Sequence, residues 1–258
     1  WKTKKRVKYM GSKARISKQL VPKLQSIIDE FKYNTYIEPM VGGANIIDKI
    51  SCQQRIGYDK DRYLIALLKH VQKELPLYDD VPKGLYDRAR RAWYKDNSDN
   101  EFEDWQIGCV CYLASRNGRD FSGGYAKDSV SCHKDGSIYI RRYYQEAKTN
   151  LLKQAATDSF KKIEFRVADY RDLQPRNTVV YVDPPYADVK QYSISKHFNY
   201  RTFWDTMRKW SDSNKVLISE LSAPSDFVSV WSSNTYRSIH TTKRKKVEEK
   251  LFVYGKRR

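Results

Sequence analysis

Apolar residues fall at helical spacing at Ile16, Leu20, Leu24, Ile27, Ile28 and Phe31, and again at Phe203, Trp204, Met207 and Trp210. Both stretches are predicted to be amphipathic helices, the first kinked or restarted at Pro22. Residues 62–73, 84–93 and 104–114 are helical in pattern as well, and a further helical stretch is expected after Asn45. Short β-branched or aromatic runs at 35–38, 55–58, 163–168, 178–182, 215–219 and 248–254 read as strands. The run at 178–182 has no polar alternation, the mark of a strand buried on both faces inside a parallel sheet. Strands and helices alternate at both ends of the chain, which predicts an α/β sheet over 1–74 and 151–258. Residues 75–150 break that pattern and read as an insert of helices plus a hairpin over 129–140, with Asp135-Gly136 at its turn.

Candidate chemistry lies where the strands end. Glu38, Asp59 and Asp169 each follow a predicted strand, and Pro39 to Asn45 carries the pair Gly42-Gly43, where backbone can approach a ligand closely. Asp59, less than 20 residues beyond the glycines, suits the ribose hydroxyls of an adenosine-containing cofactor, or else caps the helix that follows. The strand at 178–182 stops at Asp183-Pro184-Pro185-Tyr186, because neither proline can donate to a ladder. Asp183 and the Pro184 carbonyl become neighbouring acceptors on a stiff turn, with the Tyr186 ring beside them. Such a set suits a planar group bearing an NH2, such as the exocyclic amine of adenine; an ordinary strand-to-turn junction is the alternative.

The 258 residues carry a formal net charge of +18, which favours a polyanion as partner, nucleic acid before anionic membrane. No apolar run approaches membrane-spanning length. Aromatic residues make up 14%, with 20 tyrosines, in keeping with base stacking as well as with core filling. Cys52, Cys109, Cys111 and Cys132 have neither zinc nor disulfide spacing and read as reduced thiols of a cytosolic protein; with four scattered histidines, no metal is expected. The chain begins at Trp1 without a signal-like segment, which reads as a trimmed or processed start. Arg116, Asn117 and Arg119 sit before a glycine-rich turn, and Lys134 in the hairpin, where they suit phosphates and base edges unless the loop is merely solvated. The polar stretch 190–199 is expected to close over a bound nucleic acid, and Lys243, Arg244 and Lys245 to meet phosphates or to form a solvated charged loop.

The order Lys8-Tyr9-Met10-Gly11-Ser12-Lys13, Glu38-Pro39-Met40-Val41-Gly42-Gly43, Asp183-Pro184-Pro185-Tyr186 resembles the Dam-type family of DNA adenine N6-methyltransferases over almost the whole chain. Ser12, where that family usually has a second glycine, and Met40, where it often has phenylalanine, depart from the pattern. The resemblance implies a Rossmann-like sheet binding S-adenosylmethionine, with the 75–150 insert as target-recognition domain. By position it implies cofactor contacts at Tyr9, Lys13, Asp59 and Asp183, supported by Glu38, Gly42, Gly43 and Asp169, and a catalytic turn Asp183, Pro184, Pro185, Tyr186 holding a flipped adenine. Double-stranded DNA is the implied partner, in a bacterial or phage-infected cytoplasm, with site-specific methylation of the restriction-modification type. Methylation of RNA or of a protein amide, and a catalytically retired DNA-binding scaffold, are the rival readings. Asp rather than Asn at position 183 and the intact turn speak against them.

Overall fold

The computed structural model describes residue 13 and residues 16–133, 135–185, 198–238 and 244–255, without the side chains of 236–238, 244 and 245. Tyr9, Tyr186, Lys134 and Lys243, all expected at a ligand, lie outside the described residues, as do Ser12 and 190–197. Of Arg244 and Lys245 only the backbone is described.

In chain order the elements are α1 (Ser17–Phe31), β1 (Thr35–Glu38), β2 (Gln54–Asp59), α2 (Arg62–Gln72), α3 (Lys83–Tyr94), α4 (Asp104–Leu113), β3 (Ser129–Cys132), β4 (Ile138–Arg141), α5 (Tyr143–Ala155), α6 (Asp158–Lys161), β5 (Glu164–Val167), β6 (Val179–Val182), α7 (Tyr200–Trp210), β7 (Lys215–Glu220), β8 (Phe227–Ser238) and β9 (Arg244–Tyr254). They form two compact units, one of Lys13–Lys60 with Arg166–Arg258, the other of Asp61–Phe165.

The first unit is built on a seven-stranded sheet in the order β5-β2-β1-β6-β7-β9-β8. Strands β2, β1, β6 and β7 run parallel, whereas β9 is antiparallel to both β7 and β8. Register aligns Ile37 with Ile56 and Val180, Val180 with Val216, and Ile218 with Phe252. This apolar row packs against Phe203, Met207 and Trp210, the predicted face of α7. Each such fully buried side chain stabilises the fold by about 1.5–3 kcal/mol. Residues 36, 38, 181, 183, 217, 219, 249 and 251 alternate with that row and so belong to the opposite face.

Several expectations needed correction. Helix α1 runs unbroken through Pro22, which is exposed, as is Lys18, whose carbonyl the missing N–H would have met. Phe31, expected on its buried face, is exposed. The helix expected after Asn45 is one 3-10 turn, Ile47–Lys49. Gly42 and Ala44 adopt left-handed φ values of 50° and 53°. Ile50 is already extended, so the chain between β1 and β2 is spent on turning and on burying Ile46, Ile47 and Ile50. Strand β8 escaped detection because Ser229, Ser232, Ser233 and Asn234 read as loop; pairing to β9 along its length overrides their weak propensity.

In the second unit α4 is buried on every side from Ile107 to Leu113. Asp61 caps α2, accepting from the N–H groups of Tyr63 (2.9 Å) and Leu64 (3.1 Å), and its other oxygen accepts from the Tyr112 hydroxyl. Asp59 is therefore not the cap. After α4 the chain folds back on itself, with the Arg116 N–H donating to the Gly124 carbonyl at 3.0 Å and the buried Asp120 capping Ser122 at 2.9 Å. Strands β3 and β4 form the expected two-stranded hairpin. No helix among the described residues is long and apolar enough to cross a membrane.

Candidate active site

The four residues of β6 are all buried, and Asp183 emerges at the strand's carboxyl end with its side chain 23% exposed. The prolines that follow are fixed from α7, because the Tyr200 hydroxyl donates to the Pro185 carbonyl at 2.7 Å. Lys13, almost wholly buried, brings its ammonium to 3.1 Å from Asp183 Oδ1 and to 3.1 Å from Glu249 Oε2 on β9. Glu249 escaped the sequence reading. It stands in the run Glu248-Glu249-Lys250, where only strand alternation separates an outward acid from an inward one, and its partner is 236 residues away.

At the end of β1, Glu38 is buried and accepts a hydrogen bond from the Tyr36 hydroxyl at 2.9 Å. Burial raises its carboxyl well above the usual range, and the nearby Asp48 and Asp183 push the same way against the opposing effects of Tyr36 and Lys49. The segment after it folds over the end of β2: the Val41 N–H donates to the Tyr58 carbonyl at 2.8 Å, and the Gly42 N–H to Asp59 Oδ2 at 3.2 Å. Gly42 can hold its left-handed φ without a Cβ penalty. Asn45 Oδ1, in the same segment, is buried without a hydrogen-bond partner among the described residues, an acceptor suited to a ligand's donor. Beyond β5, the Ala168 N–H donates to the Asp59 carbonyl at 3.0 Å, which brings Asp169 alongside. The Asp169 carboxylate is engaged by Arg171 Nε (2.9 Å) and Nη2 (2.8 Å), and the Arg171 side chain holds it below the usual range.

Glu38, Gly42, Asp59, Asp169 and Asp183 thus belong to one end of one sheet, as their places in the sequence required. Arg116 and Asn117 are exposed, and Arg119 is half-buried, in the separate 61–165 unit. Asn117 and Gly118 both take φ of 62°, so the tip of this loop is a defined turn. The four cysteines are free thiols.

A parallel sheet with one reversed strand placed before its last edge strand, acids at the ends of β1, β2 and β6, and a glycine turn after β1 define a Rossmann-like S-adenosylmethionine-dependent methyltransferase. Residues 9–250 match the D12 class N6 adenine-specific DNA methyltransferase family, and the chain belongs to that family. S-adenosylmethionine is its methyl donor. The residues present fit that cofactor: Asp59 offers at the end of β2 a carboxylate of the kind that accepts ribose hydroxyls, the Gly42-Gly43 turn admits close backbone approach, and Asn45 Oδ1 offers a buried acceptor. Among solved structures, a Pyrococcus horikoshii protein provisionally described as an RNA methyltransferase is 10% identical, with 92% of this chain and 82% of that one covered and a TM-score of 0.42. An rRNA methyltransferase from Streptomyces viridochromogenes is 11% identical, with coverage of 96% and 87% and a TM-score of 0.42. No curated protein matches the chain.

Proposed function

We propose that this protein transfers a methyl group to N6 of a flipped-out adenine in double-stranded DNA, reading the flanking bases with the 75–150 insert. The observation that carries this reading is the Asp183 carboxylate, held by a buried ammonium at the carboxyl end of the central strand and followed by two prolines.

The bound cofactor supplies a sulfonium whose methyl group is the electrophile. The adenine amine is a poor nucleophile because its lone pair is delocalised into the ring. Asp183 accepts one amine hydrogen and the Pro184 carbonyl the other, which favours a tetrahedral nitrogen with its lone pair aimed at the methyl carbon. With the cofactor bound, its sulfonium would give up the methyl group that the nitrogen gains, and the proton the amine loses would pass toward the Asp183 carboxylate while the Pro184 carbonyl keeps the other hydrogen bonded. Lys13 and the Tyr200–Pro185 hydrogen bond keep the acceptors in place, so little reorganisation accompanies the reaction. Stacking of the flipped base on Tyr186 contributes roughly 1–3 kcal/mol against a flipping cost of a few kcal/mol.

The insert supplies two features suited to a duplex. Arg116 and Asn117 are exposed on an ordered turn, and Arg and Asn are the usual bidentate partners of guanine and adenine. Val130, Ile138 and Ile140, which are 73, 75 and 63% exposed, share one face of the hairpin, an apolar wedge of the kind that unstacks base steps. The net charge of +18 favours the phosphate backbone.

The test is transfer of label from radioactive S-adenosylmethionine to duplex DNA, RNA and protein, with hydrolysis of the product. N6-methyladenine from DNA is expected. Label confined to RNA or protein would overturn the substrate, and tight DNA binding with no transfer would mark a retired scaffold.

A further inference from the structure

The two ion pairs of Lys13 differ in what they do for the reaction. Asp183 faces the reacting amine, and an ammonium at 3.1 Å holds it in place but also draws on its charge. Alone, that ammonium would oppose the positive charge that the reacting centre carries throughout, first on sulfur and then on nitrogen. Glu249 meets the same ammonium, also at 3.1 Å, with only 6% of its side chain exposed. One ammonium thus links a carboxylate at the end of β6 to one on β9, two strands separated by β7, whose Ser219 is level with Asp183. Burial pushes the carboxyl of Glu38, an acid beside Asp183, toward its protonated form. Lys13, Asp183 and Glu249 by themselves sum to one negative charge, and the burial of Lys13 and Glu249 limits its screening by solvent.

We propose that Glu249 is a positioning residue for methyl transfer: it anchors Lys13 and offsets its charge, so that Asp183 is fixed by the ammonium yet still meets the reacting centre as a negative group. The inference rests on the function proposed above, in that Asp183 is taken to accept from the target amine. Glu249 is two strands away from Asp183 and reaches it through Lys13. Its effect belongs to the chemical step rather than to binding of DNA or cofactor.

The experiment measures the single-turnover rate at saturating cofactor and DNA, together with the cofactor dissociation constant, for Glu249→Gln, Glu249→Asp, Lys13→Met and the double variant Lys13→Met/Glu249→Gln. Glu249→Gln keeps the shape and removes the charge, and its rate is expected to fall about tenfold or more with the cofactor constant within about threefold of wild type. Glu249→Asp, which restores the charge, is expected to recover most of the rate. With Lys13 gone there is no charge left for Glu249 to offset, so the double variant should match Lys13→Met alone. A Glu249→Gln rate within about threefold of wild type, or losses that multiply in the double variant, would overturn the inference. Should Glu249→Gln fail to fold, the comparison of the double variant with Lys13→Met decides: equal rates support the inference and a further tenfold loss overturns it. Failure of the function reading is seen separately, as wild-type protein that puts no methyl on DNA adenine before any residue is changed.

Discussion

Gly108 lies in the middle of α4, where glycine normally weakens a helix, and its replacement by alanine isolates the packing of the insert from its chemistry. A Cβ at this position would stand 2.1 Å from the Tyr63 carbonyl oxygen and 3.1 Å from Leu67 Cβ, against the 3.4 Å at which ordinary contact begins. The obstructing atom is α2 backbone, which cannot rotate away as a side chain can. Helix propensity alone favours alanine by about 1 kcal/mol. Overpacking a close-packed interface costs about 1–3 kcal/mol and occasionally more, and a backbone clash of this size falls at the upper end. Gly108→Ala is therefore expected to lower stability by about 2 kcal/mol net, or about 4–8 °C in Tm at 2–4 °C per kcal/mol. Gly84→Ala is the control, because nothing lies within 4 Å of its added Cβ; it is expected to be neutral or to gain up to about 1 kcal/mol. Urea titration and calorimetry of both variants measure the difference. A Gly108→Ala protein as stable as wild type would mean that α2 and α4 do not meet backbone to backbone, and the placement of the Arg116–Arg119 turn that follows α4 would have to be reconsidered.

Asp183→Ala is expected to reduce methyl transfer by at least about 10²-fold while the protein stays folded and binds DNA, since in the proposed mechanism Asp183 accepts from the reacting amine; near-normal turnover in the purified variant would refute that role. Affinity for a non-cognate duplex should fall with salt at a log–log slope of about −0.9 per phosphate neutralised, and joint replacement of Lys243, Arg244 and Lys245 should flatten it. An unchanged slope would make that run a bystander. Because Glu38 holds its proton above its usual value of 4.5, the folded state binds more protons than the unfolded one from that pH upward, and stability falls as pH rises toward the raised value. Glu38→Gln removes this dependence, so denaturation midpoints should show the variant gaining on wild type as pH rises; a difference independent of pH would refute it. Burial pushes the Cys109 thiol up to about 11, and Cys111 is raised as well, whereas Cys132 is exposed. Iodoacetamide should therefore modify Cys132 first and leave Cys109 and Cys111 intact in the native protein, as peptide mapping would show.

Local pattern was enough to define much of this molecule. The spacing of Phe203, Met207 and Trp210 defined the buried face of α7, because the helical period alone puts those side chains on one side. The unbroken apolar run 179–182 and the two prolines after it defined a central strand and its end, because proline cannot continue a ladder and only a doubly covered strand is apolar throughout. Acids at strand ends and a glycine pair then pointed to the carboxyl end of the sheet, where Glu38, Gly42, Asp59 and Asp183 are found. Only tertiary structure decided between Asp59 and Asp61 as the cap of α2, since both are acids within reach of the helix start and the choice depends on where β2 stops. It also turned the helix expected after Asn45 into a single turn, where burying three isoleucines outweighs local preference, and it drew the serine-rich β8 into the sheet. Gly108 reads in sequence as a weak point of α4, and in the fold as the place where α2 comes close. Glu249 and Lys13 are 236 residues apart. Their pairing depends on β9 entering the sheet antiparallel beside β7, a long-range event that leaves no periodicity in either segment.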